Sequence, residues 1–305
     1  MSEESKSFGG VILSPGCINR CLFCSPSKAS REEVREQATR VAKNLVEFKK
    51  KGIKKIEISG SDPIEYESII PLVKYIKKMG FEFVQLSTHG RFLADEKFFN
   101  KLIQAGIDKL RIPLYGSKAE IHDSVTRAKG SFKEVYKGLK MLRTMAPFVE
   151  TQVSSLIMQQ NKNDLTNIID LMVKLGINDF YFSIPLLHAD GDDSYYVPSS
   201  NLTRYAKKAY EHAEEIGYPA RFIEIPYCVF GRESELINNV SLPPNLGKHC
   251  QPPKQFKTSI KDLPSYRLKR KIDICKKCKC ADRCHGFLVN DIKKFGIKNI
   301  KPIRK

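Results

Sequence analysis

The sequence predicts an α/β fold, a partial (β/α)6 TIM-like barrel followed by a small, cysteine-rich C-terminal extension. Short runs of β-branched residues alternate with longer stretches of helical period, which is typical of strand–helix units around a parallel sheet. Nine cysteines fall into two groups, three before residue 25 and six from residue 228 onward. With right-handed crossovers, the carboxyl ends of the strands should form the functional edge of the sheet.

Six strands and five helices are predicted. The strands comprise residues 10–13, 55–59, 81–87, 109–114, 148–156 and 179–184. The helices comprise residues 31–51, 64–78, 95–104, 131–144 and 163–174. The first helix begins after Ser30, which with Glu33 forms a capping-box pattern, and a glycine follows four of the five helices.

Length and composition set the expected domain organisation. The chain has 305 residues, 41% of them hydrophobic, which is enough for one large domain with an appendage or for two domains. We expect a core domain over residues 1–220 and a cysteine-rich region over residues 221–305. The N-terminus is polar, and no apolar run approaches the roughly 18 residues needed to cross a membrane. The sequence therefore predicts a cytoplasmic protein without a membrane partner.

Cys17, Cys21 and Cys24 have the spacing Cys-x-x-x-Cys-x-x-Cys. Three thiolates can hold three irons of a [4Fe-4S] cluster and leave the fourth iron open to a substrate or cofactor. A disulfide fits badly, because three cysteines leave one unpaired. A three-cysteine zinc site is the alternative, although the next cysteine in the chain is Cys228. The loop follows the first predicted strand, so it should lie at the functional edge.

Two further turns should lie at the same edge. Ser59-Gly60-Ser61-Asp62-Pro63 follows the second strand, where glycine permits a close backbone approach and Asp62 offers a carboxylate to a positive group. Ser87-Thr88-His89-Gly90 follows the third strand. Each turn alone is a weak signal, and their combination with the cysteine loop carries the argument.

At these residues the chain resembles the radical S-adenosylmethionine (SAM) superfamily, over about residues 8–190. The three-cysteine spacing, with Phe23 before Cys24, is the signature of that family. The resemblance implies that SAM chelates the open iron through its amino and carboxylate groups. Electron transfer from the cluster would then cleave the sulfonium to a 5′-deoxyadenosyl radical, which abstracts a hydrogen atom from the substrate. An electron donor such as a ferredoxin or flavodoxin is implied.

The resemblance also implies which residues contact SAM. The turn Gly60-Ser61-Asp62-Pro63 is similar to the family's Gly-Gly-Glu-Pro element, which receives the methionine amino group, although Ser61 replaces a glycine and Asp62 a glutamate. Pro113 stands where the family often has a cofactor-binding serine. The full set of implied cofactor-binding residues is Phe23, Gly60, Ser61, Asp62, Pro63, Thr88 and Asn161.

The second cysteine group resembles the family's C-terminal auxiliary-cluster region, called SPASM or, in its shorter form, twitch. Cys275, Cys278 and Cys284 have the spacing Cys-x-x-Cys-x5-Cys. A full SPASM domain would have a cysteine where Leu288 stands, so one auxiliary [4Fe-4S] cluster is expected rather than two.

The fourth ligand of this site is open on the sequence. Cys228 is the first choice because it follows a predicted strand, whose end gives a rigid anchor. Cys250 is the second choice, and Cys280 is not expected to be a ligand. A structural zinc site is the alternative, since four-cysteine zinc sites use similar spacings.

The net charge of +18 is concentrated near the C-terminus. Residues 254–305 contain 17 Lys and Arg against four Asp, a net charge of +13. This segment is either a surface for nucleic acid or an acidic partner, or a solvated face whose charge offsets that of a thiolate-ligated cluster. It has no recognised nucleic-acid-binding motif.

Three functions are compatible with these features. The first is a radical SAM enzyme acting on a peptide or protein side chain. The second applies the same chemistry to RNA or a nucleotide-like small molecule. The third is a non-catalytic iron–sulfur or zinc protein that binds nucleic acid. His89, Arg111, Tyr115 and His188 could line a substrate cavity, but the sequence assigns no catalytic acid or base.

Overall fold

The computed structural model describes residues 8–24, 31–187, 193–232, 237–238 and 269–304, with only the backbone of residues 31–37. Within these residues the main sheet has eight strands, arranged in chain order. They are β1 Phe8–Leu13, β2 Lys55–Gly60, β3 Phe83–Ser87, β4 Lys109–Pro113, β5 Glu150–Leu156, β6 Asp179–Ser183, β7 Arg221–Ile223 and β8 Ile237–Asn238.

The strand pairs are parallel, as the alternation of strands and helices predicts. This holds for β1–β2, β2–β3, β3–β4, β6–β7 and β7–β8. Val11, Ile56, Ile58, Val84 and Leu86 are almost fully buried, as expected for a sheet covered by helices on its faces. The predicted α/β class is therefore confirmed, and all six predicted strands are present.

Nine α-helices occur in the described part of the chain. They are α1 Arg31–Lys50, α2 Ile69–Lys78, α3 Glu96–Gln104, α4 Ala119–Thr126, α5 Ser131–Met145, α6 Leu165–Leu175, α7 Ser199–Glu215, α8 Tyr227–Phe230 and α9 Val289–Phe295. The sequence prediction omitted α7 and gave no separate bounds for α4, α8 and α9. Ser30 lies outside the described residues, so the expected cap of α1 stays a prediction.

The predicted helix over residues 64–78 is divided in the structure. A short 3₁₀ helix, Pro63–Glu65, comes first, and α2 begins only at Ile69. Asp62 caps the 3₁₀ helix by accepting a hydrogen bond from the Ile64 N–H, and Tyr66 then returns to extended backbone. The division matters because side chains three residues apart eclipse one another in a 3₁₀ helix, which places Asp62 and Glu65 on the same side.

The chain forms two compact units. Among the described residues, the first comprises those within Met1–Pro113 and Thr126–Gln152. The second comprises those within Leu114–Val125, Val153–Leu242 and Lys261–Lys305. The division at residue 220 expected from the sequence is a different partition and stays a prediction. No helix among the described residues is both long and apolar enough to cross a membrane.

Candidate functional site

The first cysteine group lies in the loop that follows β1. Gly60 permits this loop to pass close to the end of β2, since a Cβ at Gly60 would stand 1.6 Å from the Leu13 carbonyl oxygen. Its φ of 143° is also one that residues with a side chain rarely adopt. The Ser61 N–H donates to the same Leu13 oxygen, and the Ser61 hydroxyl accepts a hydrogen bond from the Gly16 N–H, 3.2 Å away. The turn after β2 therefore holds the start of the cysteine loop.

The thiols of Cys17, Cys21 and Cys24 are neighbours. Burial, with electrostatic repulsion from the other two thiols, raises the pKa of Cys21 to about 12. Burial likewise raises the pKa of Cys17, against a hydrogen bond from the Asn19 backbone, and the result is about 12. The chain thus keeps these thiols protonated at neutral pH, and a thiophilic metal must displace the protons in order to bind.

Asp62 is a buried hydrogen-bond acceptor that joins the ends of β2 and β3. Its Oδ1 accepts from the Thr88 hydroxyl at 2.8 Å and from the Ile64 N–H at 3.1 Å. Its Oδ2 accepts from the His89 N–H at 2.6 Å. Burial raises the pKa of Asp62, against the lowering effects of the His89 charge and of these hydrogen bonds.

Glu65 stands beside the cysteine loop. Its Oε1 accepts a hydrogen bond of 2.7 Å from the Ile18 N–H and lies 3.0 Å from Nε2 of His89. A sulfur of Cys17, a carboxylate oxygen of Glu65 and a ring nitrogen of His89 lie within 4.8 Å of one another. Burial raises the pKa of Glu65, but the hydrogen bonds from His89 and Ile18 outweigh it, so the pKa is lowered overall.

The tautomer of His89 follows from its backbone partner. Nδ1 accepts a hydrogen bond of 3.0 Å from the Arg91 N–H, so it carries no proton. Nε2 is therefore the donor, and it lies 3.0 Å from Glu65 and 3.3 Å from Asp62. The sequence motif did not indicate Glu65. The signal that could have found it is its position three residues after a 3₁₀-helix cap.

Arg91 holds the middle of the cysteine loop. Its Nη1 donates to the Asn19 side-chain oxygen at 2.9 Å, and its Nε donates to Glu134 on α5. The backbone N–H of Arg20 also donates to the Thr126 carbonyl oxygen at 2.9 Å. The loop is thus fixed by contacts to three separate elements before any cofactor contributes.

The remaining implied cofactor-binding residues are buried or half-buried, and two of them use their polar groups in hydrogen bonds within the protein. Thr88 is buried and uses its hydroxyl on Asp62 and on the Gly90 N–H. Asn161 is fully buried, and its amide nitrogen donates to the carbonyl oxygens of Tyr115 and Leu156. Pro63 is buried at the start of the 3₁₀ helix, and Phe23 is half-buried. The polar groups of Thr88 and Asn161 are thus used within the protein, those of Thr88 at the ends of β2 and β3 and those of Asn161 within the second unit.

Two of the four cavity residues named from the sequence also have structural partners. Nη1 of Arg111 forms an ion pair of 2.8 Å with the buried Glu57, and the Tyr115 ring stacks on His122. His188 lies outside the described residues.

The second cysteine group surrounds a small cavity in the second unit. Five cysteines contribute to its lining: Cys228, Cys275, Cys278, Cys280 and Cys284. Burial, together with electrostatic repulsion from the thiols of Cys284, Cys275 and Cys278, raises the pKa of Cys228 to about 12. The structure therefore brings Cys228 to the triplet, across a long separation in sequence. Cys250 lies outside the described residues.

Two structural devices hold these cysteines together. Cys228 lies on α8, which begins after Pro226, ends at Gly231 and buries Phe230 against Tyr210 and Phe222. The triplet lies between β9, Lys269–Arg270, and β10, Phe287–Leu288, which pair antiparallel.

Gly286 permits the return to β10, because a Cβ there would stand 2.2 Å from the Arg270 carbonyl oxygen. Its N–H points to the Cys284 sulfur at 3.4 Å, a contact of the kind that tunes cluster potentials.

The donor atoms of both groups fit iron–sulfur clusters. All eight cysteines in the described part of the chain are free thiols and so are available as metal ligands. The first group offers three thiols, beside a carboxylate and an imidazole. The second offers four coupled thiols, which suits either a [4Fe-4S] cluster or zinc.

The chain belongs to the Radical SAM superfamily. The model of this family matches residues 11–172, more than half of the chain. Members of the superfamily are enzymes that use a [4Fe-4S] cluster and SAM. The expectation that the first cysteine group marks this family is confirmed.

The relatives found by sequence are named for different reactions. The chain is 26% identical over 205 residues to an AdoMet-dependent heme synthase of Methanosarcina barkeri, covering 67% of this chain and 57% of that protein. It is 26% identical over 182 residues to a GTP 3′,8-cyclase of Limosilactobacillus fermentum, covering 58% and 53%. The chain thus spans little more than half the length of each relative.

Solved structures support the fold over almost the whole chain. SuiB of Streptococcus suis bound to its precursor peptide SuiA superposes with a TM-score of 0.59 at 14% identity, covering 94% of this chain and 72% of that one. Native anSMEcpe with bound AdoMet gives the same TM-score and identity, covering 96% and 92%. These identities are low, so the likeness shows the fold alone.

Proposed function

We propose that this chain is a radical SAM enzyme that abstracts a hydrogen atom from a peptide or protein side chain. The observation that carries the proposal is the set of three neighbouring thiols at the end of β1, beside the carboxylates of the turn after β2. When bound, the cluster and SAM supply reductive cleavage to a 5′-deoxyadenosyl radical. Cys17, Cys21 and Cys24 would hold that cluster.

The chain's own part in the reaction is to position and shield these groups. Ser61, Arg91 and Glu65 each hold a different point of the cysteine loop, at Gly16, Asn19 and Ile18. Such preorganisation keeps the reacting groups in place without a further entropy cost during turnover. We assign SAM contacts to the turn Gly60–Pro63 and to the neighbourhood of Phe23, Thr88 and Asn161.

We also propose an auxiliary [4Fe-4S] cluster held by Cys228, Cys275, Cys278 and Cys284. The mutual raising of the thiol pKa values supports one shared site. Lys269, whose ammonium group interacts electrostatically with Cys284, would offset part of the negative charge of the cluster. We infer a cytoplasmic location and a ferredoxin- or flavodoxin-type electron donor, since free thiols persist in reducing compartments.

A peptide substrate is favoured by the structural neighbours. SuiB is described with a bound precursor peptide, and anSMEcpe with a bound Cp18Cys peptide. The second candidate, RNA or a nucleotide-like molecule, is favoured by the GTP 3′,8-cyclases among the relatives and by the basic segment 254–305. Family membership favours both over a non-catalytic protein.

Anaerobic reconstitution tests the chemistry. We expect about eight irons per chain, from two four-iron clusters, and release of 5′-deoxyadenosine on reduction with SAM present. Cys21→Ala should abolish that release, while Cys280→Ser should retain it. A fully loaded, reduced sample that releases no 5′-deoxyadenosine would contradict the proposal.

The substrate class is tested by binding. If RNA is the substrate, bulk tRNA should bind, the affinity should fall steeply with salt, and neutralising the lysines between Lys269 and Lys279 should weaken it. Negligible binding that these substitutions leave unchanged would remove the RNA candidate.

A further inference from the structure

This inference rests on the proposed function and concerns the amino-acid end of SAM. An ammonium group binds an anionic acceptor more strongly than a neutral one, because hydrogen bonds between ionised groups are about twice as strong as neutral ones. Two carboxylates, those of Asp62 and Glu65, lie beside the cysteine loop. The sequence motif points to Asp62, and the structure permits a choice between them.

Asp62 has its acceptor positions engaged. Its Oδ1 receives two hydrogen bonds, from Thr88 and Ile64, and its Oδ2 receives the His89 N–H. The Nε2 of His89 also lies 3.3 Å from Oδ2. The side chain is only 2% exposed. A ligand at Asp62 would have to share Oδ2 with the His89 N–H, on a side chain that is almost fully buried and that joins the ends of β2 and β3.

Glu65 meets the requirements better. Among the described residues, it accepts hydrogen bonds from the Ile18 N–H and from the His89 ring, and both go to Oε1. Its side chain is 14% exposed, and a carboxylate oxygen lies within 4.8 Å of the Cys17 sulfur. Asp62 stands where the family has a glutamate, and its side chain is shorter by one methylene. Glu65, three residues later, has the longer side chain.

We infer that Glu65, rather than Asp62, receives the ammonium group of SAM in this protein. His89 orients the Glu65 carboxylate by donating from Nε2 to Oε1, which leaves Oε2 for the ligand. Asp62 is a buried brace between the two strand ends.

The test is SAM binding to the anaerobically reconstituted full chain, measured by equilibrium dialysis. Glu65→Gln keeps an Oε1 acceptor for the Ile18 N–H but removes the negative charge. We expect its affinity for SAM to fall about ten- to a hundredfold, as for the loss of a hydrogen bond to a charged group. Glu67→Gln, which removes a charge from an exposed neighbour, should bind SAM like the wild type.

A second ligand separates recognition from structural damage. Methylthioadenosine shares the nucleoside of SAM but lacks the amino-acid end, so its affinity should be the same in the wild type and in Glu65→Gln. If Glu65 only anchored the loop, the substitution would weaken both ligands and change the electron paramagnetic resonance spectrum of the reduced cluster without SAM. That result would overturn the inference.

Asp62→Asn completes the comparison. We expect this variant to have a lower unfolding midpoint than the wild type and Glu65→Gln. Its loss of SAM affinity should be smaller than that of Glu65→Gln. Normal SAM binding by Glu65→Gln, together with a selective loss in Asp62→Asn, would assign the role to Asp62 and leave the proposed function intact. A wild type that binds no SAM would overturn the proposed function as well.

Discussion

At the scale of single residues, the C-terminal site offers more thiols than a four-ligand metal needs. Cys280 contributes to the same cavity as Cys228, Cys275, Cys278 and Cys284 and is almost fully buried. The thiol of Cys228 interacts electrostatically with those of Cys275, Cys278 and Cys284, which the triplet spacing could not have shown.

Substitution of Cys228 and of Cys280 distinguishes a cluster ligand from a nearby cysteine that is not a ligand. Cys228→Ser should lower the iron content by at least about one atom per chain, because the iron that Cys228 holds loses its only protein ligand while three thiolates still hold the others. Cys280→Ser should leave the iron content unchanged. Iron and sulfide analysis after reconstitution measures both, and equal losses in the two variants would contradict this ligand assignment.

The raised thiol pKa values predict a pH dependence. Because burial raises the pKa of Cys228 to about 12, this thiol is protonated at neutral pH and must release its proton to a metal. Affinity for Cd²⁺ should therefore rise with pH between about 6.5 and 8.5, by about tenfold per pH unit for each proton displaced.

The sulfur-to-cadmium charge-transfer absorbance reports this binding in a variant that lacks Cys17, Cys21 and Cys24. Cys228→Ser should lower the slope of log affinity against pH by about one proton. An affinity independent of pH would show that the thiols are already ionised.

The first site shows how far residue patterns reach. The cysteine triplet and the turn after β2 were located from spacing and from position at strand ends, because such geometry is local in sequence. Glu65 was missed because the sequence motif ends at Pro63. The contact that places Glu65 at the cysteine loop, the hydrogen bond from the Ile18 N–H, joins residues that lie far apart in the sequence.

At the scale of elements, the close approach of β1 and β2 depends on Gly60. An added Cβ would overlap the Leu13 carbonyl oxygen, which itself accepts a hydrogen bond from the Ser61 N–H. The strand ends and the cysteine loop therefore have to move together if any side chain is introduced.

Gly60→Ala should destabilise the protein by about 3 kcal/mol or more, from backbone strain and overpacking together. Gly52→Ala is the matched control, because Gly52 also has a positive φ but has no atom within 4 Å of an added Cβ. That variant should lose only about 1–2 kcal/mol. Chemical unfolding followed by circular dichroism compares them, and equal losses would show that the close approach is relaxed at little cost.

Strands were predicted better than helices for a physical reason. Each of these strands is a short segment with buried apolar residues between turn or loop residues, and the six predicted ranges match β1 to β6 within two residues at each end. By contrast, α7 has a polar exposed face and follows a stretch without a clear boundary signal. Its position depends on tertiary contacts such as the hydrogen bond from the Ser199 N–H to the buried Asp291.

At the scale of the whole molecule, each cysteine group lies within one compact unit. The first group and its partners Asp62, Glu65 and His89 belong to the first unit. The second group, with α8 and the pair β9–β10, belongs to the second. Neither group takes a described sulfur ligand from the other unit.

The two clusters should therefore be separable. A variant with Cys17, Cys21 and Cys24 all replaced by Ala should retain about four irons per chain, one four-iron cluster, and lose SAM binding. Absorbance and Mössbauer spectra of the reconstituted variant measure this. Loss of all iron would show that the second centre needs the first.

The distance along the chain between the ligands of each group has a consequence for biosynthesis. Cys17, Cys21 and Cys24 emerge from the ribosome almost together, so their metal can be inserted while most of the chain is still untranslated. The proposed second centre would join Cys228 to Cys284, so it has to wait until α8, β9 and β10 have all been made, and bringing such distant residues together has an entropy cost that grows with their separation. Iron supply during synthesis would thus reach the radical-generating half first.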